Sequence, residues 1–363
     1  MFVQNLVRAL AGIDVKCTVI NPLSIFRHSA SEEQLISFDH SVEANPIRII
    51  RPRYFSFSNK KIFSHNTESL TLRSYTRTAA KCLAGLDSVP DALYGHFLYE
   101  AGAACAKIAS AFKIPSFIAV GESGFGSIEA RGRKRAGSDF RKVRGFIAVS
   151  SHIMRALKEI LNIPEEKIGV FPNGVDLGLF HPRDKARMRA KLGLPQDKFI
   201  VAFTGLFNER KGPHRVLSAV SGMKGVGVVF IGSGKIPLNG KEILFKGALE
   251  QSEVPEMLSA ADIFLLPTLA EGSCNAVLEA LATGLPVITS DREFNDDIVD
   301  GRVAIRVNPL DIGQIRGAVL KLRRSPDLLR SMSAMALKRA QDFDINRRAS
   351  LIYNWMGKQE QAR

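Results

Sequence analysis

Apolar positions along the chain keep two rhythms, short continuous runs and stretches with a helical period. Phe2, Val3, Leu6, Ala9 and Leu10 recur at helical spacing and predict a helix that Gly12 ends. Val15 to Ile20 then reads as a strand closed by Asn21-Pro22. In the centre, strands are predicted over Asp91 to Tyr94, Ser116 to Val120 and Gly145 to Val149. Helices fall over Ala101 to Ala111 and up to about Val143, and Ser150 is placed to cap the next one. The second half predicts strands at Phe199 to Thr204, Val226 to Gly232, Ile263 to Pro267 and Pro286 to Thr289. Between them lie helices over Pro213 to Val220 and Ala276 to Ala282. Strands alternating with helices imply parallel sheets covered on both faces.

At 363 residues the chain exceeds one ordinary core, so two domains are expected, joined near Gly178 to Arg183. No low-complexity linker separates the halves, which suits packing around a cleft. One irregularity stands out. A doubly wound domain opens with a strand, and this chain opens with a helix. The first domain is therefore expected to lack its first, central strand, leaving the helix from Phe2 to Leu10 weakly anchored.

Composition narrows the class. No apolar run approaches the roughly 18 residues that cross a bilayer, and Gln4, Asn5 and Arg8 interrupt any secretion-type core. Cys17, Cys82, Cys105 and Cys274 are scattered without a CxxC pair, which points to a reduced, cytoplasmic setting and no structural zinc. The net charge of +14 asks for an anionic partner: nucleic acid, lipid headgroups or a phosphorylated substrate. Its densest stretch holds Arg131, Arg133, Lys134, Arg135, Arg141, Lys142 and Arg144 against Asp139 alone, and also reads as a solvated face. Interleaved aromatics of a strand-binding surface are missing, so nucleic acid is not expected as a partner.

Two segments carry candidate chemistry. In Val201-Ala-Phe-Thr-Gly-Leu-Phe-Asn-Glu-Arg-Lys-Gly212 a buried strand ends at Gly205, a short loop brings Arg210 and Lys211, and Gly212-Pro213 opens a helix. Glycine lets a phosphate approach the backbone, while Lys211 and the helix N-terminus meet its charge. The same residues also read as a basic turn that binds nothing. The second segment runs from Pro267 through Glu271, Gly272, Ser273, Asn275, Ala276, Val277 and Glu279 to Pro286. Asn275 is a natural N-cap there, and carboxylates at Glu271 and Glu279 suit sugar and ribose hydroxyls. A capped amphipathic helix with two incidental glutamates is the bland alternative. If both were helical, eight residues would separate them by about 12 Å, beyond the roughly 5–9.5 Å of a glycosidase pair.

Together these segments resemble the retaining glycosyltransferases of family four, over nearly the whole chain. The family's E-x7-E is Glu271 to Glu279, Phe171-Pro-Asn-Gly-Val-Asp176 looks like its interdomain segment, and Ala260-Ala-Asp-Ile-Phe-Leu-Leu-Pro267 is similar to the strand before the acidic motif. The resemblance implies an α/β GT-B fold, two Rossmann-like doubly wound domains facing a central cleft. Residues 1–178 would be the acceptor side, residues 179–343 the nucleotide-sugar domain, and residues 344–363 a helix crossing back to the N-domain.

It also implies an activity, hexosyl transfer from a nucleotide sugar with retention. Lys211, Gly205 and Arg210 would hold the donor diphosphate with Gly272, Ser273 and the Asn275-Ala276-Val277 backbone. Glu271 would meet the transferred sugar and Glu279 the ribose. The leaving phosphate would take the acceptor's proton, so the positive charge around it carries the catalysis. Neither a cofactor nor an obligatory metal is implied. Implied partners are a UDP- or GDP-sugar, a saccharide or lipid-linked acceptor, and the inner face of an anionic membrane, within bacterial surface polysaccharide or glycolipid synthesis. The departures are Leu206 where the family has arginine, with Arg210 as its replacement, and Gly121-Glu122-Ser123 where it has histidine after Val120. The N-terminal glycine loop has no counterpart.

His96 and Glu122 are the candidates on the acceptor side; each also reads as structural. Asp342-Phe-Asp344 has the form of a metal-binding DxD, yet Asp344 reads better as a helix cap. Cys274 reads as packing. Two other classes stay open: a truncated, non-catalytic nucleotide-sugar-binding protein, and a basic nucleic-acid binder with steep salt dependence.

Overall fold

The computed structural model describes residues 2–26, 34–57, 61–62, 65–126, 128 and 133–361. They divide into two compact units, Met1–Phe171 with Arg348–Arg363, and Pro172–Arg347. Arg131 lies outside the described residues, as do the side chains of Arg133, Lys134 and Arg135.

The first unit opens with α1 (Phe2–Ala11), followed by short strands β1 (Thr18–Ile20), β2 (Leu23–Ser24), β3 (Ile36–Asp39), β4 (Ile47–Ile50), β5 (Arg53–Tyr54), β6 (Lys61–Ile62) and β7 (His65–Asn66). Then come α2 (Glu68–Ala84), β8 (Leu93–His96), α3 (Ala103–Phe112), β9 (Ser116–Val120), α4 (Arg133–Phe140), β10 (Gly145–Ala148), α5 (Ser151–Leu161) and β11 (Ile168–Val170). Ser150 caps α5 by accepting from the Ile153 N–H, as its position predicts.

The sheet of this unit is interrupted. Strands β11-β10-β9-β8 form one parallel sheet, and β1-β4-β3 form another in which only β3 is antiparallel. Among the described strands none pairs with β8 away from β9, or with β1 away from β4. Yet Ile20 of β1 and Leu93 of β8 pack on one apolar cluster, Ala79, Leu83, Ile108 and Ile114. The break thus falls between two parallel edges that share a core, where a central first strand is expected. The weak anchoring expected for α1 is corrected. Leu6, Ala9 and Ala11 are buried, Arg8 Nε meets Asp39 at 2.8 Å, and Asn45 Nδ2 donates to the carbonyls of Ala11 and Val15. The amphipathic face and these polar ties hold the helix without a strand preceding it.

The second unit is an uninterrupted parallel sheet. Its strands are β12 (Phe199–Thr204), β13 (Val226–Ile231), β14 (Ile243–Gly247), β15 (Ile263–Leu266), β16 (Val287–Ser290) and β17 (Ala304–Val307), in the order β14-β13-β12-β15-β16-β17. β13, β15 and β16 are buried along their whole length, which explains why they read as continuous apolar runs rather than alternations. Helices α6 (Lys185–Lys191), α7 (Pro213–Val220), α8 (Val254–Ser259), α9 (Asn275–Ala282), α10 (Ile312–Arg324) and α11 (Pro326–Ala340) accompany the sheet. The strand order reverses between β12 and β15. At such a switch point, loops leave neighbouring strand ends in opposite directions and open a crevice.

The division falls at Phe171 rather than near Gly178, because the following segment is held by the second unit. The Val175 N–H donates to the Phe343 carbonyl at 2.8 Å, and Phe180 lies in the second core. The last helix, α12 (Ile345–Gln361), begins in the second unit, where Asp344 accepts from the N–H groups of Asn346 and Arg347. From Arg348 onward it counts with the first unit. There Trp355 packs edge-on against Phe117 and Phe171, and a Cβ on Gly145 would come within 2.5 Å of its ring.

Candidate active site

The two segments singled out in the sequence leave the adjacent carboxyl ends of β12 and β15, on either side of the switch point. After β12, Gly205 has φ +153°, and a Cβ there would press on the Lys211 stem at 3.3 Å. Asn208 shapes the loop by accepting from the Lys211 N–H at 2.9 Å. Gly212 caps α7 with φ +69°, and any side chain would strike the Arg215 guanidinium 2.2 Å away. Arg215 is nearly fully buried. It donates to the Glu209 carboxylate (2.7 Å), the Glu209 carbonyl (2.8 Å) and the Pro267 carbonyl (3.0 Å), tying the loop after β12 to the end of β15.

Glu271 is where the two segments meet. Its Oε1 accepts from Thr268 Oγ1 at 2.8 Å and Arg210 Nη1 at 2.8 Å, and forms an ion pair with Lys211 Nζ at 2.7 Å. The same Arg210 nitrogen donates to the Ala270 carbonyl at 2.6 Å. One carboxylate oxygen is therefore held by three groups, and Oε2 has no partner among the described residues. Two cations sharing one carboxylate leave an excess of positive charge, which suits a diphosphate. Leu206, 54% exposed, adds no charge at the family's arginine position. Arg210 does stand in the cluster, but turned onto Glu271.

The N-terminus of α9 differs from expectation. The cap residue is Cys274, which makes no side-chain capping bond, and Asn275 is the first helical residue. The Val277 N–H is taken by the Cys274 carbonyl at 3.1 Å, leaving the N–H groups of Asn275 and Ala276 without partners among the described residues. Asn275 Oδ1 and Thr204 Oγ1 are likewise buried without partners there, which marks these strand and helix ends as unfilled polar positions. Gly272 and Ser273 are buried. Ser273 faces Asn173, accepting from its N–H at 3.1 Å while Asn173 Nδ2 donates to the Ser273 carbonyl at 3.2 Å. Only Glu279 is helical, so the separation computed for a continuous helix does not apply. Both carboxylates instead approach Lys211.

The Glu279 carboxyl group has no hydrogen-bond partner among the described residues, although its backbone carbonyl accepts from Thr283. Burial pushes its carboxyl up from 4.5 to about 7, with Lys211 opposing the rise. The sign follows. Between those values the folded chain holds a proton that the unfolded chain has released, so stability falls as pH climbs from about 4.5 to 7. Above that range the loss is up to about 3 kcal/mol. Glu279→Gln removes it. The variant is expected to melt roughly 5–10 °C above the parent at pH 8, with the difference gone near pH 5. Equal melting temperatures at both pH values would refute this burial account.

In the first unit, His96 ends β8, and Glu122 follows β9 by two residues. Burial, then the Arg348 guanidinium, lowers the His96 imidazole to about 4, so it is neutral near pH 7. Burial raises the Glu122 carboxyl, although it accepts from the N–H groups of Leu98 (2.5 Å) and Gly121 (2.9 Å). Those bonds are a backbone-holding role. Asp342 pairs with Arg339 and Arg347, and no group of three or more candidate metal ligands occurs among the described residues. Cys274 is buried, its thiol pushed up to about 11 by desolvation. Thr204, Thr268, Arg215 and Asn173 were invisible as site residues in the sequence, because each acts across the switch point or from a distant segment.

Comparison with known proteins supplies the context. The family model described as glycosyltransferase family 4 matches residues 1–179, and that described as glycosyl transferases group 1 matches residues 184–339. A Bacillus subtilis protein named for teichuronic acid biosynthesis, TuaC, is 26% identical over 80% of this chain and 76% of its own length. A D-inositol 3-phosphate glycosyltransferase of Mycobacterium tuberculosis is 30% identical over 44% of this chain and 36% of its own. Among solved structures, a sucrose-phosphate synthase from Thermosynechococcus elongatus superposes with a TM-score of 0.79 at 17% identity, covering 100% of this chain and 93% of that one. The Anabaena protein HepE, solved with UDP and glucose, gives 0.68 at 18% identity, covering 85% and 86%.

Proposed function

The chain belongs to the group 1, family four glycosyltransferases of GT-B fold, and on that premise we propose that it moves a sugar from a UDP- or GDP-sugar to a saccharide or lipid-linked acceptor, with retention. The observation that carries this reading is the convergence of Arg210, Lys211 and Thr268 on one oxygen of Glu271, at the switch point of the second unit. That arrangement also argues against a binding-only remnant, since it builds a charged centre beyond what nucleotide capture requires.

In the proposed reaction the donor diphosphate takes over Lys211 and the free N–H groups of Asn275 and Ala276. Gly205 and Gly272 let it approach the backbone. Arg210 and Thr268 keep hold of Glu271, leaving its second oxygen to accept from a hydroxyl of the transferred sugar. The Glu279 carboxyl, unpartnered and near Lys211, accepts from the ribose. The bond from the anomeric carbon to the phosphate oxygen breaks while the acceptor oxygen bonds on the same face, and the acceptor's proton passes to the departing phosphate. Fixed positive charge stabilises that departing group, and no metal is required for it. Two carboxyl groups in one site would by themselves also suit hydrolysis. Family membership decides for transfer.

His96 and Glu122, at neighbouring strand ends of the first unit, are the proposed acceptor-side residues. The setting we favour is surface polysaccharide or glycolipid assembly at the inner face of an anionic membrane, in keeping with the name borne by TuaC. No described helix is long and apolar enough to cross a membrane. A thermal-shift screen against UDP-, GDP- and ADP-sugars tests the donor. A true ligand at about 100 times its Kd adds roughly 2.7 kcal/mol of stability. No shift with any of them at millimolar concentration would remove the nucleotide-sugar reading.

A further inference from the structure

Arg189, Arg215 and Arg348 are the arginines buried among the described residues. The first two are matched to carboxylates. Arg189 Nη2 meets Asp262 Oδ2 at 2.8 Å, and Arg215 Nη1 meets Glu209 Oε1 at 2.7 Å. Arg348, in the first turn of α12 and 7% exposed, has no carboxylate within ion-pair distance among the described residues. Its Nε and Nη2 share one acceptor, the Phe171 carbonyl, 3.4 Å from each. That is longer than the roughly 2.7–3.2 Å of a good N–H···O bond, so it offsets little of the cost of burying the charge. Tyr94 acts on Arg348 electrostatically, but burial pushes that phenol up to about 12, and it is neutral near pH 7. The Tyr94 hydroxyl is itself buried without a hydrogen-bond partner among the described residues. His96, two positions along β8, turns to the same face, its ring stacked on that of Tyr94 with centroids 6.3 Å apart. The Arg348 charge reaches this ring too, adding to the burial that keeps it neutral.

A buried cation without a counter-charge and a buried hydroxyl without a partner, each within the other's field, ask for one explanation. Packing alone does not supply it, because an apolar side chain of similar volume at position 348 would avoid the desolvation cost. An oxyanion satisfies both groups at once. The guanidinium gives it charge-assisted bonds and the phenol donates another. The position suits a ligand as well, since His96 ends β8 and parallel sheets of this kind take ligands at the carboxyl ends of their strands.

We propose that Arg348 and the Tyr94 hydroxyl, beside His96, form an oxyanion site in the first unit that selects an acidic acceptor, whose phosphate or carboxylate lies on the guanidinium. The acceptor role rests on the transfer reading; the anion site does not. The full chain is melted, and its hydrogen exchange followed, in a Tris chloride buffer and then with inorganic phosphate, glucuronate or glucose at millimolar concentration. Phosphate or glucuronate should raise the parent's melting temperature and slow exchange over 94–98 and 345–350, and glucose should do neither. The acid that acts tells a phosphoryl group from a uronate. Arg348→Met should raise the concentration of that acid needed for the effect about ten- to a hundredfold. In the plain buffer the same variant should melt above the parent, because a poorly compensated charge has left the interior. An arginine with only a structural role gives the opposite sign. Tyr94→Phe should weaken the acid about three- to tenfold with the fold kept. Arg347→Met, the exposed neighbour paired with Asp342, should change its effect less than about twofold. Donor thermal shifts run alongside: shifts retained without an acid effect reject this site alone, and an acid effect without any donor shift rejects the transfer reading alone. Arg348→Met melting below the parent or failing to fold would overturn the proposal. So would protection by glucose equal to that by the acids, or protection confined to 204–212 and 268–279.

Discussion

Glu271→Gln is expected to lower turnover by about 10²–10³-fold while changing donor affinity far less. The reason lies in how the carboxylate is held. Its Oε1 is fixed by Thr268, Arg210 and Lys211, which leaves Oε2 without a partner among the described residues and balances part of the local charge. An amide has one acceptor oxygen and a donating nitrogen, so it satisfies fewer of these groups and presents the wrong atom to a sugar hydroxyl. The loss should therefore fall on the reacting geometry. Arg210→Ala acts through Glu271 and should follow the same pattern, with turnover reduced and donor affinity kept within about threefold. Steady-state donor consumption, analysed for kcat and KM separately, is the check. A rise in KM at unchanged kcat would move Glu271 from the reacting centre to simple binding.

Lys211→Ala is expected to weaken donor affinity roughly ten- to a hundredfold, since a charge-assisted hydrogen bond contributes about 1.5–3 kcal/mol. Lys211 is only 13% exposed, and its stem lies against the bare backbone of Gly205. Removing it takes away the cation that no carbonyl claims, whereas Arg210 stays clamped to Ala270 and Glu271. The two changes should thus separate, Lys211 in affinity and Arg210 in turnover. Calorimetry with the matched nucleotide sugar measures the first directly. Unchanged affinity in a folded variant would take Lys211 out of the site.

Much of this centre was legible in the chain because its parts are local. A buried apolar strand followed by Gly205 and a Lys211-Gly212 pair reports a strand-to-helix turn by composition alone. The acidic segment is equally compact. What could not be read was coupling between segments. Arg215 looks like any helical arginine until its guanidinium is found beneath Gly212, bonded to Pro267. Asn173 sits a hundred positions from the Ser273 it supports. Asn275 was misjudged by one position, since cap preference cannot tell which of two neighbouring residues leaves the helical conformation. The weak anchoring expected of α1 failed for a similar reason: its ties to Asp39, at the end of β3, and to Asn45 join residues more than thirty positions apart. The interrupted sheet, by contrast, followed from element order alone.

The account stands on donor binding at the β12–β15 switch point, and hydrogen exchange of the full chain with UDP or GDP at millimolar concentration tests that most directly. One of the two nucleotides should slow exchange in the segments 204–212 and 268–279 together, leaving the first unit's β8 to β11 unchanged. Protection confined to other segments, or none with either nucleotide, would contradict it.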